Sequence, residues 1–243
     1  MQVWVGTSGF GYEEWRGSFY PQDLRAEAML AFYARHFSVV EINSSFYRSP
    51  RAQTLEDWAD ATPDHFRFAF KCPRLITHQL HLVNAAQPVA RLTDALAALG
   101  PRLGPVLFQL PPALREDAVL LDDFLIMVRE SAPWLRAAFE FRHPSWFNDE
   151  IYDLLHSAAA ALCVAESDDL RTPLVPTTSW GYVRLRRRDY GLAQIATWAA
   201  RIASQSWATS YAFLKHENPD APQLALALQA ALGSEAGLHP AGG

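Results

Sequence analysis

Phe139-Glu140-Phe141-Arg142-His143-Pro144-Ser145-Trp146 alternates aromatic and charged residues and then meets a proline. An extended chain turns successive side chains to opposite faces, so Glu140 and Arg142 share one face and Phe139 and Phe141 the other. The stretch reads as a buried strand that runs out into a loop at His143-Pro144. Two opposite charges on an apolar strand are costly unless they are paired or used. An apolar strand with a polar residue at its outgoing end is the unit to seek elsewhere in the chain.

It recurs seven times. With 137–142 as the fifth strand, the others fall at 3–6, 39–43, 67–72, 106–110, 162–166, 182–186 and 211–215. Helical patterns follow at 26–37, around Trp58, at 88–99, at 120–130, after Asn148, at 190–204 and at 221–232. Pro88 sits near a first turn, Asn148 precedes acidic Asp149-Glu150 as an N-cap, and Thr54 with Asp57 resembles a capping box. Segment 167–179 is too short and proline-rich for a full helix. Eight strands at a repeat of roughly 30 residues, nearly all followed by a helix, predict an α/β fold: a (β/α)₈ TIM-type barrel with an irregular or missing helix after the sixth strand. The 243 residues suit one such domain, expected over 1–236 with a flexible tail at 237–243. The competing open, doubly wound sheet would carry a glycine fingerprint after its first strand. Gly6-Thr7-Ser8-Gly9 is not one, nor is it a Walker loop or a GxSxG elbow.

Hydrophobic residues make up 50% of the chain and charged residues 19%, the balance of a folded soluble domain. The net charge of −5 gives no general attraction for nucleic acid, so sequence-independent nucleic-acid binding is disfavoured. Cys72 and Cys163 lie in apolar runs without metal-ligand spacing and read as reduced core thiols. The N-terminus goes straight into a strand, and no apolar run reaches the ~20 residues of a membrane span. A cytoplasmic protein with no membrane partner is expected.

In a barrel of this kind the chemistry lies at the C-terminal ends of the strands. Read by parity, those ends present Glu41 and Asn43, Lys71, Gln109, Glu140 and Arg142, Glu166, Arg184 and Arg186, and Lys215. A salt-bridge network plugging the barrel is the structural alternative to a site. As a site, Glu140 is the acid or base, Glu41 its partner carboxylate, and Lys71 an electrostatic stabiliser or, if desolvated, a nucleophile. Arg142, Arg184, Asn43 and Gln109 orient the substrate. His78, Tyr12 and Trp15 on exit loops, with Glu166 and Lys215, complete the candidate binding set. The run Arg186-Arg187-Arg188 is a local basic patch that reads as a solvated loop or, alternatively, as a phosphate contact. No metal or other cofactor is expected: a metal cage is normally net negative, whereas here carboxylates alternate with Lys71, Arg142, Arg184 and Lys215.

Several blocks together resemble the YecE-like family, a domain of unknown function. They are Gly6-Thr7-Ser8-Gly9-Phe10 with Tyr12, Trp15, Gly17 and Phe19-Tyr20-Pro21; Val40-Glu41-Ile42-Asn43-Ser44-Ser45-Phe46-Tyr47; Phe68-Ala69-Phe70-Lys71 with Thr77-His78; Gly104-Pro105-Val106-Leu107-Phe108-Gln109-Leu110-Pro111-Pro112; and the opening stretch. The resemblance spans almost the whole chain and implies a TIM-type barrel, with no activity to carry over. It is weakest around the seventh and eighth strands, at Arg186-Arg187 and at Leu214-Lys215-His216-Glu217-Asn218. The functional expectation is a metal-independent acid/base enzyme, a hydrolase, lyase or isomerase, acting on a small anionic or polyhydroxylated, sugar-like molecule. The alternatives are a non-catalytic module for an anionic ligand, nucleotide or nucleic-acid end, and a metal-assisted hydrolase or isomerase.

Overall fold

All eight predicted strands form. In the computed structural model, which describes residues 1–233, they are β1 (Gln2–Ser8), β2 (Val39–Ile42), β3 (Arg67–Lys71), β4 (Leu103–Gln109), β5 (Ala137–Glu140), β6 (Ala161–Glu166), β7 (Trp180–Leu185) and β8 (Thr209–Lys215). They close into one parallel barrel in sequence order. Among the described residues seven α-helices wrap it: α1 (Met29–Tyr33), α2 (Ala52–Asp60), α3 (Ala86–Ala97), α4 (Ala118–Ser131), α5 (Asp149–Ser157), α6 (Leu192–Ala203) and α7 (Ala221–Ala231). The connection after β6 holds no helix, as its prolines dictate. The expected tail at 237–243 lies outside the described residues.

Three local expectations are corrected. The helix expected at 26–37 is a 3₁₀ turn (Ala26–Ala28) followed by a five-residue α1, which ends in tightened bonds such as His36 N–H to the Tyr33 carbonyl. The box at Thr54 does not cap α2. That helix starts at Ala52, after extended Arg51, and Asp57 instead accepts from Gln53 Nε2 at 3.1 Å. β5 stops at Glu140, so Arg142 belongs to the exit loop. Asn148 does cap α5, accepting the Ile151 N–H at 3.1 Å.

Strand alternation sorts the core into two layers. Outward residues such as Phe68, Phe70, Phe108, Phe139 and Val164 pack against the helices. Burying each such side chain stabilises by about 1.5–3 kcal/mol. The inward layer sets large Trp4, Trp180, Tyr182, Tyr211 and Phe213 on β1, β7 and β8 against small Ala69, Ala138, Ala161 and Ala165 on β3, β5 and β6. The small side leaves room for long side chains rising from β7.

One seam fixes the height of β1. The Tyr33 hydroxyl, from α1, accepts the Thr7 N–H at 2.8 Å and donates to the Val39 carbonyl at 3.1 Å. It bridges β1 and β2 just below the register pair Ser8 and Glu41. Gly6 stands beside it. A Cβ there would lie 2.2 Å from the Val39 carbonyl oxygen and 2.9 Å from the Tyr33 hydroxyl, so only glycine fits. Among the described residues no helix is long and apolar enough to cross a membrane.

Candidate functional site

Above the apolar interior, the strand ends build one polar layer. Glu41 is two residues beyond Val39, Glu140 two beyond Ala138, and Arg184 two beyond Tyr182, so each inherits the inward face of its strand. Arg184, 1% exposed, crosses the barrel between two fully buried carboxylates. One guanidinium nitrogen donates to Glu140 Oε2. The other donates to Glu41 Oε1 at 2.8 Å and, more weakly, to Asn43 Oδ1 at 3.4 Å.

Glu41 also accepts from the Ser8 hydroxyl at 2.7 Å and the Tyr182 hydroxyl at 2.6 Å. Glu140 accepts from Gln109 Nε2 at 2.8 Å and from Arg142 and Arg186, each at 3.0 Å. Burial alone would raise both carboxyls. Arg184 with Tyr182 and Ser8 holds Glu41 below the ordinary value, and Arg184 with Arg186 and Gln109 does the same for Glu140. Both are therefore ionised with their oxygens engaged, a poor state for exchanging protons near neutral pH. The geometry gives the two glutamates the role of anchors for guanidinium groups, in place of the acid/base pair expected from sequence.

Lys71 closes β3 on the same face as Ala69. Its Nζ lies 4.0 Å from the centroid of the Phe46 ring and has no ion-pair partner among the described residues. The Ser45 hydroxyl pins the Lys71 carbonyl at 2.7 Å. Burial, and then repulsion from Arg184, lowers the amine from its ordinary value to about 8. Against Phe46, edge to face at 4.9 Å, packs His78, with its Nδ1 2.9 Å from Thr77 Oγ1. Burial and Lys71 lower the imidazole. His78 rides on a single π-helical turn (Leu75–Gln79), a feature common at functional sites. His81, Leu82 and Asn84 follow with φ of 49°, 72° and 51°, a strained run held by the buried Leu82.

Lys215, at the end of β8, pairs with Glu217. His216 between them stacks on Tyr12 at 4.3 Å, and the Tyr12 hydroxyl donates to the Ser8 carbonyl at 2.8 Å. A cleft of about 250 Å³ opens beside Tyr12 and Asn43, between the exit loops of β1 and β2, with Phe10 and Trp58 as its walls.

Two predicted residues lie elsewhere. Trp15 is fully buried, packed on Tyr12 at 4.7 Å and Tyr20 at 6.2 Å, so it supports the loop and presents no face to a ligand. Glu166 faces the helices, because Cys163 and Ala165 take the inward positions of β6. It accepts from Tyr190 Oη and Trp198 Nε1, both at 2.8 Å, and pairs with Arg171 at 3.4 Å. Three participants were missed or undervalued. Ser8 and Tyr182 share the inward phase of Trp4 and Arg184, a signal parity would have given. Arg186, placed at the end of the seventh strand but left out of the candidate binding set, reaches Glu140. Among the described residues no three His, Cys, Asp or Glu side chains gather as ligands for an ion.

Comparison with known proteins agrees with this architecture. The family model described as "Protein of unknown function DUF72" matches residues 4–242. YecE of Escherichia coli K12 is 35% identical over 117 residues, 47% of this chain and 42% of that protein. YunF of Bacillus subtilis is 28% identical over 160 residues, 62% of this chain and 54% of that one. The chain spans about half the length of the curated relatives it matches. The crystal structure of a DUF72 family protein from Thermotoga maritima superposes with a TM-score of 0.83 at 26% identity, covering 96% of this chain and 100% of that one. D-Psicose 3-epimerase from Clostridium cellulolyticum, solved with D-tagatose, reaches 0.51 at 13% identity over 96% and 97%, a likeness of fold alone. The chain belongs to the DUF72 family of proteins of unknown function, here seen as a barrel whose mouth is tied together by Arg184.

Proposed function

We propose that the barrel mouth binds a small anionic molecule, a phosphorylated or sugar-acid metabolite, and that Lys71 moves the proton in a hydrolytic, eliminating or isomerising reaction on it. What supports this is the convergence of cations. Arg142, Arg184, Arg186, Lys71 and Lys215 face Glu41, Glu140 and Glu217, so the mouth keeps a positive balance in a chain of net charge −5. Arg186 Nε is a buried N–H donor with no hydrogen-bond partner among the described residues, a donor an anion can use. The Lys71 amine, lowered to about 8, exchanges its proton close to neutral pH, where general acid/base catalysis is most effective. No metal is needed for this chemistry: both carboxylates of the mouth's centre are engaged by guanidinium groups. The same engagement favours, as the second function, an anion-binding module without catalysis.

Calorimetric titration with inorganic phosphate tests the shared element. Binding is expected to weaken about tenfold in Arg186→Met, the loss of one charge-assisted hydrogen bond, and to fall with added salt. Absence of phosphate binding to the wild type would overturn both functions. Turnover in a screen of phosphorylated and sugar-acid substrates, lost in Lys71→Met, separates the enzyme from the module.

A further inference from the structure

Lysine stands at two of the 243 positions and arginine at nineteen. Both lysines, Lys71 and Lys215, close barrel strands, and both reach the mouth. Everywhere else this chain uses guanidinium as its cation, including Arg142, Arg184 and Arg186 in the same mouth. A guanidinium matches or exceeds an ammonium as an anion clamp, but it stays protonated in proteins. What an amine adds is a lone pair. Burial lowers the Lys215 amine too, but Lys215 is tied to Glu217, whose carboxylate opposes the loss of its proton and occupies its nitrogen. Lys71 has no carboxylate on it. It lies against the face of Phe46, its backbone is fixed by Ser45, and burial with the neighbouring Arg184 favours the neutral amine.

We propose that Lys71 forms an imine with an anionic carbonyl compound, an oxo acid or a phosphorylated ketose, whose anionic group is held by Arg142 and Arg186. The proposal rests on the anion-binding function argued above and names its substrate class. The Nζ lone pair attacks the carbonyl carbon, forming a C–N bond. The C=O π pair moves to oxygen, which takes a proton from the nitrogen. The carbinolamine then takes up one proton and loses its hydroxyl as water, leaving a protonated imine. Overall, ammonium and carbonyl become iminium and water. Atoms and charge balance, and no oxidant or reductant takes part. A positive imine beside the guanidinium groups would then act as an electron sink for proton removal or C–C cleavage next to the former carbonyl.

The scarcity of lysine makes the test clean. The protein is incubated separately with pyruvate and with dihydroxyacetone phosphate, reduced with sodium borohydride, and analysed by intact mass and peptide mapping. Expected with at least one probe is a single adduct on Lys71, heavier by the carbonyl compound less one oxygen atom. It should form several-fold faster than any adduct on Lys215, whose nitrogen is occupied by the Glu217 carboxylate. Inorganic phosphate should protect it, and Lys71→Arg should abolish it. Adducts confined to Lys215 or the N-terminal amine would overturn the proposal. So would the absence of any adduct from wild-type protein that binds phosphate in the calorimeter, which leaves the anion site standing. Failure of phosphate to bind the same wild-type sample would instead overturn the anion-binding function beneath it.

Discussion

Replacing Arg184 by Met is expected to destabilise the barrel by about 3–5 kcal/mol in urea unfolding, the usual cost of leaving a buried charge without its partner. Arg184 is the cation that Glu41 contacts, and Glu41 is fully buried. Without it, Glu41 keeps two hydroxyl donors among the described residues, Ser8 at 2.7 Å and Tyr182 at 2.6 Å. Glu140 suffers less, because Arg142 and Arg186 remain on it.

The pH dependence should reverse in sign. In the wild type both glutamates are held below their unfolded values. Their contribution is complete above the unfolded carboxylate value of about 4.3 and is lost as pH falls through the lower folded values. In Arg184→Met, burial raises the Glu41 carboxyl above its unfolded value. The variant therefore takes up a proton on folding, and its deficit shrinks as pH falls through that raised value. Adding Glu41→Gln should recover about 1–3 kcal/mol of the loss by removing the stranded charge. A deficit under about 1 kcal/mol, unchanged between pH 7 and 5, would show that Arg184 does not hold the layer together.

Glu140→Gln should cost about 3 kcal/mol for the same reason with the opposite charge left over. Arg142, Arg184 and Arg186 lose their shared carboxylate, and Lys71 loses one of the two glutamates that favour its protonated form. The excess positive charge is what a bound anion would relieve. Phosphate in the millimolar range should thus raise the melting temperature of Glu140→Gln more than that of the wild type, since at a given concentration the ligand that binds the folded state more tightly stabilises it more. Chloride at equal ionic strength should do much less. If phosphate and chloride behave alike, the mouth is a salt-bridged plug rather than a binding site. That outcome would also separate this view from one in which Glu140 is the acid or base, where the Gln variant loses turnover without any special response to phosphate.

Much of this was legible in the sequence because strand alternation is rigid. Once Phe139 and Phe141 are assigned to the helix side, Glu140 is inward, and the same parity turns Glu41, Lys71 and Arg184 to the inward face. The parity failed at Glu166, where the last residue of β6 was assumed inward although Cys163 and Ala165 occupy that phase. Helix bounds were softer. α2 starts two residues before Thr54, because a capping box is a short polar pattern that also occurs inside a first turn. The roles within the site were the least legible. Sequence shows which charges share a face, but not that one guanidinium spans from β7 to both β2 and β5 and so occupies both carboxylates. Nor does it show that Trp15 is sealed beneath Tyr12 and Tyr20. The sparing use of lysine was visible in composition and gained meaning only when both lysines were placed at the mouth.

The most direct test of an anion-binding mouth with a proton-exchanging Lys71 is an NMR pH titration of protein labelled with ¹³C-lysine. Two lysine signals are expected, one of them removed by Lys71→Arg. Lys71 should titrate near 8, and inorganic phosphate should move its midpoint upward, because a nearby anion favours the ammonium. A Lys71 that titrates at the ordinary lysine value of about 10.4 and ignores phosphate would contradict both the desolvated amine and the anion site.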